Sequence, residues 1–224
     1  MKPDISIIIV TSKISKHLKN CIDSIYKFTT SPYEIIIVYT GPTNKNTDEL
    51  QTFPNSKYLP CHEKNTGFAY NRGIKQSKAD NIIILSPKVT VTPNWDVAML
   101  NCSQIVPSIG LVGKSKKSTT HPTKDITEIQ IAESLDESCL LIKRIVIDSI
   151  GDFDEQFSST TFLFDDFFLR ARFDGFELSY CNEDYAVDAY DSHILDNIDY
   201  LDIYLEDRNK FIDKWKTYLP IKND

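Results

Sequence analysis

Glycine is scarce in this chain, with seven residues in 224, and none forms a glycine-rich phosphate loop at the turn after the first strand-like run, Ile5 to Val10. That argues against a nucleotidyltransferase gripping phosphate through such a loop. No stretch approaches the ~20 consecutive apolar residues that a bilayer-spanning helix needs. Met1-Lys2-Pro3-Asp4 leads straight into Ile5, without the basic and apolar regions of a signal peptide. The expectation is a soluble cytoplasmic protein with no transmembrane segment. The five cysteines, Cys21, Cys61, Cys102, Cys139 and Cys181, are odd in number and singly spaced, which fits neither a zinc site nor a disulfide framework. Reduced structural thiols are expected. Positive charge is also short: 25 Lys and Arg against 32 Asp and Glu leave a net charge of −7. A general nucleic-acid binder needs clustered cations, so nucleic acid is not an expected partner. One basic island exists, Lys114, Lys116, Lys117 and Lys124 around His121. It reads either as a solvated loop or as a loop that touches a phosphate or an acidic acceptor.

What is present is enough apolar material, 41% of residues, for one large core or two fused half-domains. The organising stretch is Ile82-Ile83-Ile84-Leu85 followed by Ser86-Pro87-Lys88. An unbroken apolar run of this length matches a strand buried on both faces of a parallel sheet. Pro87 has no amide hydrogen and restricts Ser86, so the chain leaves the sheet there and exposes Ser86 and Lys88 at the strand's carboxyl end. In open α/β sheets that edge is where ligands bind. After a short run at Val89 to Val91, Thr92 or Asn94 is placed to cap a helix through Asp96, Val97 and Leu100.

Around that stretch, strand-like runs alternate with helical periodicity. Ile5 to Val10 precedes the Thr11-Ser12-Lys13 turn and a helix marked by Leu18, Cys21, Ile22 and Ile25. Tyr33 to Tyr39 is a second strand ending at Thr40-Gly41-Pro42, then come a short helix at Thr47 to Leu50 and a third strand at Lys57 to Leu59. The order β-α-β-α-β is that of a nucleotide-binding half-sheet. Asn65-Thr66-Gly67 then opens a helix carrying Asn71 and Arg72. An amide and a guanidinium this close to a helix start suit a phosphate or a base edge, although, taken alone, the turn is better explained as a plain capped helix. Further strands are expected at Ile109 to Gly113 and Ser138 to Lys143, separated by a long polar loop from Ser115 to Thr127. A helical turn follows at Arg144 to Ile150. Phe168, Leu169, Arg172 and Phe173 mark a helix ended by Gly175, Phe176 to Tyr180 and Ala186-Val187 are closing strands, and Leu201 to Trp215 is an amphipathic carboxyl-terminal helix.

Taken in order, four stretches make the chain resemble the GT-A fold glycosyltransferases of the large inverting, nucleotide-sugar-dependent family. They are Ile5-Ser6-Ile7-Ile8-Ile9-Val10-Thr11, Tyr33-Glu34-Ile35-Ile36-Ile37-Val38, Asn65-x-Gly67-Phe68-Ala69-x-Asn71-x-Gly73-Ile74, and Ile150-Gly151-Asp152-Phe153-Asp154-Glu155-Gln156-Phe157 with Asp165-Asp166 and Arg170 beyond. The resemblance implies a single α/β domain over residues 1–224, Rossmann-like, with a mainly parallel sheet and helices on both faces. Residues 1–100 would form the nucleotide-sugar half, 101–195 the acceptor half, and 196–219 a terminal helix. It implies a role in glycan biosynthesis, with a nucleotide-diphosphate sugar as donor and a glycan, lipid-linked or protein hydroxyl as acceptor.

The same resemblance assigns residues. Donor binding falls to Thr11, Ser12, Tyr39, Gly41, Asn65, Gly67, Asn71, Arg72, Ser86 and Lys88. Catalysis falls to Asp165 and Asp166, one of them the general base, with Arg170 orienting them or binding phosphate. Acidic residues near a helix start are also explained as a cap alone. Two positions depart from the family pattern. Tyr39 stands where an aspartate usually holds the base, and a tyrosine could stack on it instead. Ser86-Pro87-Lys88 stands where acidic residues usually hold Mn2+ or Mg2+, and an ammonium offers a hard cation no oxygen. Either Lys88 neutralises the diphosphate without a metal, or the site has decayed and the domain serves as a binding or scaffold module. No metal ligand is assigned. His193 is out of register with the histidine that relatives carry and reads as a surface residue.

Overall fold

The computed structural model describes residues 2–42, 47–63, 65–115, 131–181, 186–188 and 198–218. The apolar runs form the strands foreseen: β1 (Ile5–Thr11), β2 (Tyr33–Tyr39), β3 (Ser56–Pro60) and β4 (Asn81–Leu85). Helices α1 (Lys16–Phe28), α2 (Asp48–Gln51) and α3 (Thr66–Gln76) connect them. β5 (Val89–Val91) and α4 (Trp95–Gln104) follow, then β6 (Ile109–Ser115), β7 (Ile131–Ala132) and β8 (Leu135–Lys143). The chain continues through α5 (Arg144–Ile150), α6 (Thr160–Phe173), β9 (Glu177–Tyr180), β10 (Ala186–Asp188) and α7 (Ile198–Trp215).

The main sheet has the order β3-β2-β1-β4-β8-β6-β9-β7. Pairings β1–β2, β1–β4, β2–β3 and β6–β9 are parallel, while β8 lies antiparallel between β4 and β6. The sheet is therefore mixed, and β4 sits at its middle. Successive strand residues point to opposite faces, so one face carries Ile8, Ile36, Val38, Ile82, Ile84, Leu140 and Ile142, the other Ile5, Ile7, Ile9, Ile35, Ile37, Ile83 and Leu141. Helices α3 and α6 cover the first, α1 and α4 the second. Each of these fully buried aliphatic side chains contributes about 1.5–3 kcal/mol.

Local chemistry sets the helix starts. Ser15 accepts from Leu18 N at 3.2 Å and Asn65 from Phe68 N at 2.9 Å, each satisfying an orphan amide. Asn94 occupies the cap position of α4 in the left-handed conformation, φ 66°, and its side chain makes no cap bond. α6 begins at Thr160, earlier than its apolar spacing indicated, because Ser159 is its cap. A two-stranded sheet pairs β10 antiparallel with β5, just past the Ser86-Pro87-Lys88 turn. The long polar loop, with Lys116, Lys117, His121 and Lys124, lies outside the described residues, as does His193.

Candidate active site

Parallel register brings the ends of β1 and β2 together, Thr11 opposite Tyr39. Thr40 N donates to Thr11 O at 2.9 Å, and Thr11 Oγ1 donates to Lys13 O at 2.8 Å, which shapes the turn through Ser12. Gly41 lies so close to this turn that a Cβ there would stand 2.2 Å from Ser12 O. Thr11, Ser12 and Gly41 thus share one corner of the carboxyl edge. Tyr39 is different. It is only 7% exposed, is packed in the core with Leu50, and has its ring 6.4 Å from that of Tyr58. Little of the side chain is exposed where a base would stack; a ring at an alternating strand position is drawn into the core.

The Asn65-to-Asn71 motif is a docking surface for a distant turn. Asn65 Nδ2 donates to Glu155 O at 2.7 Å, and Gly67 lets Leu163 approach, where a Cβ would lie 3.0 Å from Leu163 Cδ1. Asn71 is 2% exposed; its Nδ2 donates to Phe153 O and its Oδ1 accepts from Phe153 N, both at 2.9 Å. Its amide is committed to the protein. Arg72, one residue on, is exposed. With Leu59, Phe68, Asn71, Lys75, Gln76 and Glu155 it lines an open cavity of about 480 Å3 on the flank of α3. Phe68, Lys75 and Glu155 were not assigned to the site, because only Asn71 and Arg72 carried a residue-type signal.

Ser86-Pro87-Lys88 is a tight turn, with Val89 N donating to Ser86 O at 3.0 Å and Lys88 N to Ser86 Oγ at 3.3 Å. Ser86 N donates to Ser138 O at 2.8 Å. Because β8 runs backwards, its first residues arrive at this edge, so Asp136 and Glu137 join the turn's surroundings. Burial first, then the Glu137 charge, pushes the Tyr70 phenol upward, which places that carboxylate near the ring. Reading the strand as starting at Ser138 hid these two acids. Among the described residues no three His, Cys, Asp or Glu side chains gather as a cation site. The turn itself offers a serine, a proline and an ammonium, which do not fit a hard divalent ion.

Asp165 and Asp166 lie in the second turn of α6, past its cap, so the cap explanation for them fails. Asp165 is half-buried, and Asp166 has no exposed surface. Asp166 Oδ2 accepts from Arg170 Nε at 2.9 Å, and its Oδ1 accepts from Trp215 Nε1 at 3.0 Å and from Lys214 Nζ at 2.6 Å. Arg170 also donates to Ile150 O at 2.9 Å and Asp152 O at 3.0 Å, which engages its guanidinium within the protein and makes it an orienting group.

The sequence profile of glycosyl transferase family 2 matches residues 6–173, from β1 to the end of α6. The chain belongs to this family. The family 2 match covers the Thr11-Ser12 turn, the Asn65 motif, the Lys88 turn and the Asp165-Asp166 helix together. Solved structures share the fold at low identity. TarS of S. aureus, residues 1–349 in complex with UDP-GlcNAc, superposes with a TM-score of 0.67 at 13% identity, over 93% of this chain and 66% of that one. The mannosyltransferase PcManGT from Pyrobaculum calidifontis, in complex with GDP-Man and Mn2+, gives 0.63 at 13% identity, over 80% and 57%. The chain thus spans less than two thirds of the length of these relatives. No curated protein sequence matches it.

Proposed function

We propose that this family 2 chain transfers a sugar from a nucleotide-diphosphate sugar to a hydroxyl of a glycan, lipid-linked or protein acceptor, with inversion at the anomeric carbon. The observation that carries this reading is the unbroken family match across both the donor corner and the α6 carboxylates. The donor diphosphate lies along the edge formed by Thr11, Ser12, Gly41 and Ser86. Lys88 supplies the positive charge that stabilises the leaving nucleoside diphosphate, without a divalent ion. The Asp165-Asp166 pair supplies the base, which takes the acceptor proton as the hydroxyl oxygen attacks from the side opposite the leaving group. Residues 1–100 serve the donor, 101–195 the acceptor. The proposed location is the cytoplasm; no described helix is long and apolar enough to cross a membrane.

A second reading, a catalytically silent scaffold, is favoured by two observations: Tyr39 is buried, and Lys88 stands where family acids would be. The test separating them is a thermal-shift series with UDP-GlcNAc and GDP-mannose, each with Mn2+ and with EDTA, followed by product detection. A ligand that binds only the native state raises the melting temperature. The transferase reading expects a shift and turnover in EDTA with the right donor; silence across a broad donor and cation panel leaves the scaffold.

A further inference from the structure

None of the five cysteines is in a disulfide, and two of them meet across the boundary between helix and sheet. Cys102 lies in the last turn of α4, and Cys181 directly follows β9. Cys181 N donates to Gly113 O at 3.3 Å, which carries the β6–β9 ladder one residue past Tyr180. Residues two apart on a strand share a face, so Ser179 and Cys181 both turn toward α4. Cys102 Sγ lies 3.5 Å from Ser179 Oγ, and Cys181 Sγ donates to Ala98 O at 3.6 Å. Ala98 is one helical turn before Cys102, and Ser179 is two residues before Cys181, so these contacts bracket the two sulfurs. The sulfurs are themselves hydrogen-bonded.

The pair is placed for oxidation. A thiolate is the nucleophile in that chemistry, and the hydrogen bond from Cys181, opposed by burial and aided by Ser179, brings the Cys102 thiol down to about 7. Cys102 is 8% exposed and Cys181 is half-buried, so the sulfurs sit at the margin of the core within reach of a molecule as small as a peroxide. Cys21, with no exposed surface, is pushed up to about 12 by burial and is inert by comparison.

We propose that Cys102 and Cys181 form a thiol modification site, which hydrogen peroxide converts to a reversible disulfide joining α4 to the end of β9. The site stands apart from the transferase reading. In the first step the Cys102 sulfur attacks one peroxide oxygen: the S–O bond forms, the O–O bond breaks, and the departing hydroxide takes a proton to leave as water. Cys102 is then a sulfenic acid. In the second step Cys181 gives up its proton and its sulfur attacks that of Cys102; the S–S bond forms, the S–O bond breaks, and a second water leaves. Two thiols lose two electrons and two protons, and one peroxide becomes two waters. The bond also frames a strand pair. β5 leads into α4 and β10 follows Cys181, with Ala186 opposite Val91 in their antiparallel pairing, so the disulfide closes a covalent ring around the contact that borders Ser86-Pro87-Lys88.

The site is tested on the full chain at neutral pH with a small excess of hydrogen peroxide, remaining thiols being blocked with iodoacetamide and peptides mapped by mass spectrometry. The expected product is a cross-linked peptide pair joining Cys102 to Cys181, lighter by two hydrogens and separated by dithiothreitol. Closing a loop of about 80 residues should raise the melting temperature by roughly 5–15 °C, and the reductant should reverse the rise. In Cys181→Ser, oxidation should stop at a Cys102 sulfenic acid that dimedone traps. In Cys102→Ser, Cys181 should react at least about tenfold more slowly with peroxide than Cys102 does in the unaltered chain. The linkage map of the unaltered chain decides the matter even where a variant does not fold. Linkage of Cys102 to a different cysteine, oxidation to sulfinic acid without a disulfide, or a cross-linked chain that melts no higher than the reduced one overturns the site.

Discussion

The carboxamide of Asn71 is bonded to both backbone groups of Phe153, a residue 82 positions away, and so acts as a two-point clamp between α3 and the turn before α6. Asn71→Ala would leave a buried N–H and C=O without partners, a loss of about 2–4 kcal/mol. Arg72→Ala, one residue on, should change stability by no more than about 0.5 kcal/mol. Urea denaturation of the two variants side by side checks this, and equal midpoints would exclude the clamp.

Asp96, fully buried at the start of α4, holds the α1–β2 connection by accepting from Thr30 N at 2.9 Å and Ser31 N at 2.7 Å. Burial pushes its carboxyl up, but the Ser31 and Thr30 donors outweigh that and hold it below its ordinary value of 3.8. A carboxyl depressed on folding adds stability that is complete above its unfolded value and is lost as pH falls through the folded one. Asp96→Asn should therefore be destabilised at neutral pH by about 1.5–3 kcal/mol. That difference should shrink once the pH drops below 3.8, a convergence that melting curves at several pH values would reveal.

Lys88→Ala should leave the fold intact and lower transfer by about 10²–10³-fold, the size expected when one group stabilising a developing anion is removed. Activity of the unaltered chain should persist in EDTA. A strict requirement for Mn2+ would show that other oxygens assemble a cation site and that Lys88 does not replace it.

Cys102 and Cys21 should separate in alkylation. Hydrogen bonding from Cys181, opposed by burial and aided by Ser179, lowers the Cys102 thiol to about 7, whereas burial raises Cys21 to about 12. The thiolate is the nucleophile, so the iodoacetamide rate at Cys102 should climb as pH rises through about 7, with Cys21 silent there. In Cys181→Ser the Cys102 midpoint should move upward; an unchanged profile would remove Cys181 as the cause.

Much of the fold was legible because β1, β2 and β4 each hold an unbroken aliphatic run, at residues 7–10, 35–38 and 82–85, and such an Ile-rich run bounded by turns has few other uses. The reversal of β8 was not legible, since direction in a sheet is decided by partners far along the chain. The same limit applies to the site. Arg72, Ser86 and Lys88 were recognisable as candidates from residue type and position, whereas the duties of Asn65 and Asn71 depend on a turn more than eighty residues later. The burial of Tyr39 was hidden for a simpler reason: an aromatic at a strand end fits a ligand face and a core equally well.

The sheet order also divides the chain in a way that bears on its assembly. β3, β2, β1 and β4 come from the first part of the sequence and β8, β6, β9 and β7 from the second, so within the main sheet the two sets meet at the β4–β8 pairing, with the small β5–β10 pairing as a second strand contact between the parts. A cut between Gln104 and Ile109 would give two fragments, each ending its sheet on an apolar, unpaired strand. Neither edge tolerates water, and each is the other's template. Co-expressed halves should reconstitute the whole, and either half alone should aggregate.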